Sequence, residues 1–282
     1  MASAQDQLKD ARIAFIVSGT MGEAMIKGLL AQDVVSPHQI LASDPLEERR
    51  AYIRQTYAVQ STDDNLQAIA DASIIILSIK PQVLPAVMPG LQGKIPPRAL
   101  LLSIIAGARI ESLSRGFGHT RIVRTMPNTP AQVGMAMTVW AATPEVNPEQ
   151  QAQARVILQA LGEELAVSSE HYIDMATGLS GPGPAFTYLF LEAMIDAGVQ
   201  LGFSRAEAQQ MTLQTVAGSV ELMRQSGDHP AALRNQATSP GGATAAGLYA
   251  LEKSGVRTAI CDAIQAAFER TRELGALSEH GK

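Results

Sequence analysis

One cysteine in 282 residues, Cys261, leaves no internal disulfide and no metal site built on cysteines alone. It lies in an apolar helical pattern and is expected to be a small core residue. Basic residues are short too. A net charge of -5 and a pI near 5.6 argue against nucleic acid as the main partner, and no block of Lys or Arg offsets this. Lys80 and Pro81 interrupt the longest apolar run, so no segment is long enough to span a membrane. The first ten residues are polar and lack the apolar centre of a secretory signal. None of the five histidines stands in an evident catalytic constellation. These absences lead to the expectation of a cytoplasmic protein that holds no metal. With 46% apolar and 17% charged residues the chain reads as globular, long enough for one large domain or two.

The first half alternates short apolar runs with helical patterns. Residues 12–17 are an apolar run, followed by Gly19 and Gly22 and then a helical pattern to Leu30. Strand, glycine turn, helix is the context a dinucleotide fingerprint needs: Gly19 admits the pyrophosphate and Gly22 lets the helix pack closely. The first fingerprint position is Val17, which puts a β-branched side chain into the tight turn. A second strand ends in Asp44, 22 residues after Gly22, about where a carboxylate holds the adenosine ribose. Asp44 is equally placed to cap the helix beginning at Pro45, and it would repel a 2′-phosphate. Arg49 and Arg50 follow one helical turn on and read as a solvated face, with rescue of a 2′-phosphate as the alternative.

Residues 73–79 and 99–105 are uncharged and apolar but for Ser73, Ser78 and Ser103, as parallel strands covered on both faces should be. Residues 121–125 and 134–141 are further strand-like runs; the second carries the single Trp, Trp140, read as a packing residue. The order predicts a doubly wound sheet with its ligand crevice at the carboxyl ends of the strands, where Gly19, Asp44, Lys80-Pro81, Ala106-Gly107 and residues 126–130 fall. Lys80 is either a cofactor contact or a surface lysine.

From Glu149 the pattern turns helical, with one last strand near residues 164–168. The domains are therefore expected at 1–168, a dinucleotide-binding Rossmann-like unit, and 169–282, an all-helical unit. The run Thr177-Gly-Leu-Ser-Gly-Pro-Gly-Pro184 is rich enough in Gly and Pro to predict a loop. Helices follow over 185–201 and 205–225. The first is apolar on more than one face and needs cover, from a second copy or from the first domain. Near the end, Thr238-Ser-Pro-Gly-Gly-Ala-Thr244 combines capping hydroxyls, a first-turn Pro and paired glycines. Such a turn aims free N–H groups and the positive end of a helix dipole at one point, fit for a small carboxylate or phosphate.

Four segments together resemble the pyrroline-5-carboxylate reductase family over essentially the whole length: Ile13-Ala-Phe-Ile-Val-Ser-Gly-Thr-Met-Gly22, Met126-Pro-Asn-Thr-Pro130, Thr177 to Ala185, and Thr238 to Thr244 with His229-Pro230 ahead and Leu251-Glu252 behind. The resemblance implies a Rossmann domain, a helical domain that dimerises by intertwining, larger rings of dimers in some members, and sites formed between subunits. It implies hydride transfer from NADPH or NADH to a cyclic imine, giving L-proline. Thr244 would be the catalytic residue beside the ring nitrogen. Ser239, Gly242, Ala243 and Thr244 would hold the substrate carboxylate, with Glu170 and Gln236 nearby; an exposed linker acid is the alternative for Glu170. The cofactor set expected is Ser18, Gly19, Thr20, Met21, Gly22, Asp44, Asn65, Ser78, Ile79, Lys80, Pro81 and Ala106.

Three positions depart from the family pattern. Val17 replaces the usual glycine, Pro182 stands where serine is common, and Gln236 where asparagine occurs. Two other readings stay open at this point. A β-hydroxyacid reductase typically places a lysine on the long helix, and residues 185–201 contain none. A non-catalytic dinucleotide-binding regulator is suggested by Val17.

Overall fold

The structure, a computed structural model, describes residues 4–16 and 19–279, and backbone alone over 274–279. Val17 and Ser18, both singled out in the sequence, lie outside the described residues. The chain divides into two compact units, Met1–Pro182 with Ala267–Lys282, and Gly183–Ala266. The boundary expected from the sequence, after residue 168, falls ahead of the last helix that packs on the sheet.

The first unit begins with helix α1 (Ala4–Leu8). It then alternates β1 (Ile13–Ile16), α2 (Thr20–Ala31), β2 (Ile40–Ser43), α3 (Glu47–Tyr57), β3 (Gln60–Thr62) and α4 (Asn65–Ile69). β4 (Ile74–Leu77), α5 (Leu84–Leu91), β5 (Leu100–Ser103), α6 (Ile110–Phe117) and β6 (Ile122–Met126) continue the pattern. β7 (Ala136–Ala142), α7 (Pro148–Gln159), β8 (Gly162–Ala166) and α8 (Glu170–Leu179) complete it. Among the described residues these strands make one eight-stranded sheet in the order β3-β2-β1-β4-β5-β6-β7-β8. All neighbours are parallel except β6 and β7, which run antiparallel. The doubly wound sheet expected from the sequence is the one observed, and its order reverses between β1 and β4, the switch point where such sheets bind ligands.

Because side chains alternate across a strand, each apolar run feeds two cores. Ile13, Phe15, Ile74, Ile76, Leu100 and Leu102 pack into one layer of helices; Ala14, Ile16, Ile75, Leu77 and Leu101 pack into the other. Trp140 is buried, as a packing residue should be, and its indole N–H also donates to Glu164 at 2.6 Å.

Gly162 opens β8 opposite Ala136 with φ at +142°, and a Cβ there would overlap the backbone of Ala136. Gly162→Ala is expected to lower unfolding free energy by about 2 kcal/mol, from overpacking and backbone strain together. Urea denaturation checks this, and a loss under about 0.5 kcal/mol, the ordinary scatter of surface changes, would contradict it.

The run expected to be a loop at 177–184 is mostly helix. α8 continues to Leu179, and the next helix, α9 (Gly183–Gln200), starts four residues later. Gly178 lies within α8, and Phe268 packs so close that only 2.8 Å would separate that side chain's Cβ from a Cβ built on the glycine. Pro184 sits in the first turn of α9, where a missing N–H costs nothing.

The second unit holds α9, α10 (Arg205–Ser226), α11 (Pro230–Gln236), α12 (Ala243–Lys253) and the start of α13 (Val256–Glu279). α10 starts on a capping box in which Ser204 and Glu207 bond each other's backbone N–H. α9 buries none of its residues, and Leu189 is 68% exposed. Cys261, expected in a core, is exposed here, on a helix whose neighbours in this unit leave it open. No helix among the described residues is long and apolar enough to cross a membrane.

Candidate active site

Register brings the expected cofactor residues to one edge. Ile16 is level with Ser43 on one side and with Leu77 on the other, and Leu77 is level with Ser103. The carboxyl ends of β2, β1, β4 and β5 therefore lie in a row. Gly19, Asp44, Ser78 to Pro81 and Ala106 follow directly from those ends.

Gly19 is the N-cap of α2, extended at φ -64° and ψ -176°, and among the described residues no side chain caps that helix. A Cβ built on it meets nothing within 4 Å. Thr20, Met21 and Gly22 form the first turn, whose N–H groups have no partner within the helix. Open space beside an uncapped helix start is what a pyrophosphate needs, so these residues fit the group.

Asp44 is buried, and its Oδ1 accepts the N–H of Leu46 at 3.0 Å. It closes the turn ahead of α3, whose own N-cap is Leu46. Asn65 opens α4, and its Oδ1 accepts the Ser43 hydroxyl at 2.6 Å. Ser78 donates its N–H to Ile16 O at 3.2 Å, and Ile79 is buried. Lys80, Pro81 and Ala106 are exposed along the same edge.

Arg49 and Arg50 do not form a solvated face. Arg49 binds Glu23 at 2.5 Å and stacks its guanidinium 5.1 Å from the Tyr52 ring centre. Arg50 pairs with Glu47 at 2.6 Å and donates to Asp44 O at 2.7 Å. Their carboxylate partners on α2 and α3 draw both guanidinium groups against the protein.

Glu23 collects three donors, since Tyr52 and Tyr57 also bond its Oε1 at 2.9 and 2.7 Å. Burial works against its charge, but the hydrogen bonds from Arg49, Tyr57 and Tyr52 outweigh it and hold the carboxyl below its ordinary value of 4.5. Burial and the charge of Glu23 push the Tyr57 phenol well above its usual range. A carboxyl depressed in the fold stabilises fully above its unfolded pKa and loses that contribution as pH falls. Glu23→Gln is expected to cost about 1–2 kcal/mol at neutral pH, the worth of hydrogen bonds to a charged group. That gap should narrow as pH drops below 4.5, where the wild-type carboxyl is no longer charged in the unfolded chain. Urea titrations at neutral and acid pH check this; a gap constant with pH would contradict it.

In the second unit, α12 starts at Ala243 behind the N-cap Gly242, at φ -80° and ψ 172°, again with no side-chain cap. Gly241 is left-handed at φ +70°, and the N–H of Gly242 bonds Ser239 O at 3.1 Å. A Cβ on Gly242 would collide with Ser239 Oγ, so the glycine is what lets that hydroxyl sit beside the helix start. Ala243 and Thr244 form the exposed first turn, and Gln236 ends α11 on the exposed surface. His229 caps α11 through Nδ1, which accepts from Ala231 N–H at 3.2 Å. Ser239, Gly242, Ala243 and Thr244, expected to hold the substrate carboxylate, thus lie together at one helix start that no side chain caps.

Residues 170–274 match the family model described as pyrroline-5-carboxylate reductase dimerisation, and residues 12–107 match that of the coenzyme F420-dependent NADP oxidoreductases. A pyrroline-5-carboxylate reductase of Synechocystis sp. is 42% identical over 264 residues, covering 94% of this chain and 98% of its own. The chain belongs to the pyrroline-5-carboxylate reductase family. It is accordingly an oxidoreductase with a nucleotide-binding unit and a helical unit. Two solved members of the family share the fold. The Coxiella burnetii enzyme is 32% identical with a TM-score of 0.88, covering 94% of this chain and 98% of its own. The Plasmodium falciparum enzyme, solved with NADP bound, is 30% identical with a TM-score of 0.86 over 94% and 98%. Family membership sets aside the hydroxyacid reductase reading.

Glu170, expected near the substrate, belongs to the first unit and is not an exposed linker acid. It opens α8 and pairs with Arg124 of β6 at 2.7 Å. Two residues of the first unit carry interactions that the sequence reading did not assign. Arg124 is buried with a side chain only 3% exposed; a basic residue inside an apolar strand run was the signal. Asn128 accepts the N–H of Met137 at 3.0 Å and donates to Ser180 O at 3.0 Å. It so joins the loop after β6 to β7 and to the end of α8. Pro182 lies two residues beyond Ser180, and the N–H groups of Ser180 and Gly181 both bond Ala176 O. No group of three or more His, Cys, Asp or Glu placed to hold a metal ion occurs among the described residues.

Proposed function

We propose that the chain reduces 1-pyrroline-5-carboxylate to L-proline, the last step of proline biosynthesis, with NADPH or NADH as hydride donor. The observation that carries this reading is the start of α12: an uncapped helix N-terminus with Ser239 on one side and Thr244 in its first turn. The N–H groups of Ala243 and Thr244 bind the substrate carboxylate, aided by the positive end of the helix dipole. Ser239 donates its hydroxyl to the same group. Thr244 Oγ lies beside the ring nitrogen and exchanges a hydrogen bond with it as imine becomes amine. No strong general acid is needed, because the imine nitrogen arrives protonated. Gln236 lines the approach to this turn.

The bound nicotinamide supplies the hydride. The residues proposed to hold the cofactor are Ser18 to Gly22 at the pyrophosphate, Asp44 and Asn65 at the adenosine side, and Ser78 to Pro81 with Ala106 along the remaining edge. What these chain groups do is fix the cofactor against the strand ends and keep that edge free of water, so that reactants meet in one orientation. The protein works as a homodimer in the cytoplasm. The dimer reading is supported by α9, which is apolar on several faces yet buries nothing in one chain.

The test is oxidation of NADPH, and separately NADH, by purified protein given pyrroline-5-carboxylate. Loss of nicotinamide absorbance with L-proline as product is expected. No turnover with either cofactor, in folded protein, would favour the regulator reading.

A further inference from the structure

Residues 104–109 join β5 to α6 on the edge that carries Ala106, with 106–109 leading into the helix. α6 starts at Ile110 behind Arg109, an N-cap whose side chain makes no cap bond. The N–H of Ile110 is taken instead by Glu170 Oε2 at 3.0 Å, 60 residues further along the chain. The same oxygen accepts Nη1 of Arg124 at 2.7 Å, while Nη2 of Arg124 donates to Asp174 Oδ1 at 2.7 Å. Glu170 and Asp174 are one turn apart on α8, so one helix face fills both prongs of a buried guanidinium. Oε2 of Glu170 has a donor for each of its two lone pairs.

We infer that Glu170 is a positioning residue: its carboxylate pins the start of α6, and with it the 106–109 turn, in the place where the cofactor is held. Arg124 orients that carboxylate, and Asp174 orients Arg124. The role in binding rests on the proposed cofactor reading; the pinning does not. A negative charge at the start of α6 also suits the helix dipole, so the same oxygen orders two elements that are distant in sequence.

The test uses the full-length protein and two variants. Without cofactor, backbone hydrogen exchange over 106–111 is expected to speed up about tenfold in Glu170→Ala, the worth of one charged hydrogen bond. It should stay near wild type in Glu170→Gln, whose carboxamide oxygen still accepts from Ile110. In fluorescence titrations the NADPH or NADH Kd is expected to rise about tenfold in Glu170→Ala and to recover in Glu170→Gln, while the KM for pyrroline-5-carboxylate moves less than about twofold. Unchanged exchange over 106–111 in Glu170→Ala would overturn the inference. A raised KM for pyrroline-5-carboxylate with an unchanged cofactor Kd would also overturn it, returning Glu170 to the substrate. Wild-type protein that binds neither cofactor would defeat the cofactor reading alone, and the exchange measurement would still decide the pinning.

Discussion

Thr244→Ala is expected to lower kcat/KM for pyrroline-5-carboxylate about a hundredfold, the usual cost of one donor aimed at the reacting group. The side chain is exposed at the start of α12, so its loss should leave folding stability within about 0.5 kcal/mol. The cofactor Kd should not move, because every residue proposed to bind it lies in the first unit. Thr244→Ser restores a hydroxyl at the same carbon and should recover most of the rate; Thr244→Val keeps the shape and should not. Steady-state kinetics of the three variants with a fluorescence titration of cofactor make the comparison. A Thr244→Val enzyme as fast as wild type would remove the hydroxyl from the mechanism.

The largest effect on stability is expected at Arg124. Its guanidinium is the shared partner of Glu170 and Asp174, and its side chain is 3% exposed. Arg124→Met fills the space but leaves the partly exposed Glu170 and Asp174 carboxylates without their cation, a loss of about 3 kcal/mol, the lower end for breaking a buried ion pair from one side. Neutralising all three, as Arg124→Met with Glu170→Gln and Asp174→Asn, should return most of it, since the cost lies in uncompensated charge and not in volume. Urea denaturation at neutral pH separates the cases. A loss below about 1 kcal/mol in Arg124→Met would mean that water reaches the carboxylates and compensates them, as it does at surface pairs.

Where one physical demand dominates a segment, the sequence was legible. Residues 74–77 and 100–103 are apolar on both faces because helices cover both, and they read as buried parallel strands without any structure. The row of Gly19, Asp44, Lys80 and Ala106 followed from that order alone. Direction was harder. β7 carries the same kind of apolar run, and nothing in its composition says that it turns back against β6. At 177–179 local chemistry misled, because the reason for Gly178 is Phe268, some ninety residues away. Arg49 and Arg50 were unreadable for the same cause: whether an arginine on a helix faces water depends on where Glu23 and Asp44 end up. The helix start at Thr244 was half legible: its place and its paired glycines are local signals, but Gly242 is the N-cap, no hydroxyl caps the helix, and Pro240 lies ahead of the first turn.

The second unit is an insertion. The chain leaves the sheet-bearing unit after Pro182 and re-enters it at Ala267, in the middle of α13. No single cut can therefore release either unit whole. A protein ended at residue 182 keeps all eight strands but forfeits Phe268, and with it the side chain that Gly178 was shaped to receive. Grafting the sheet-bearing unit elsewhere would require a bridge across residues 183–266 that keeps the segment from Ala267 onward attached.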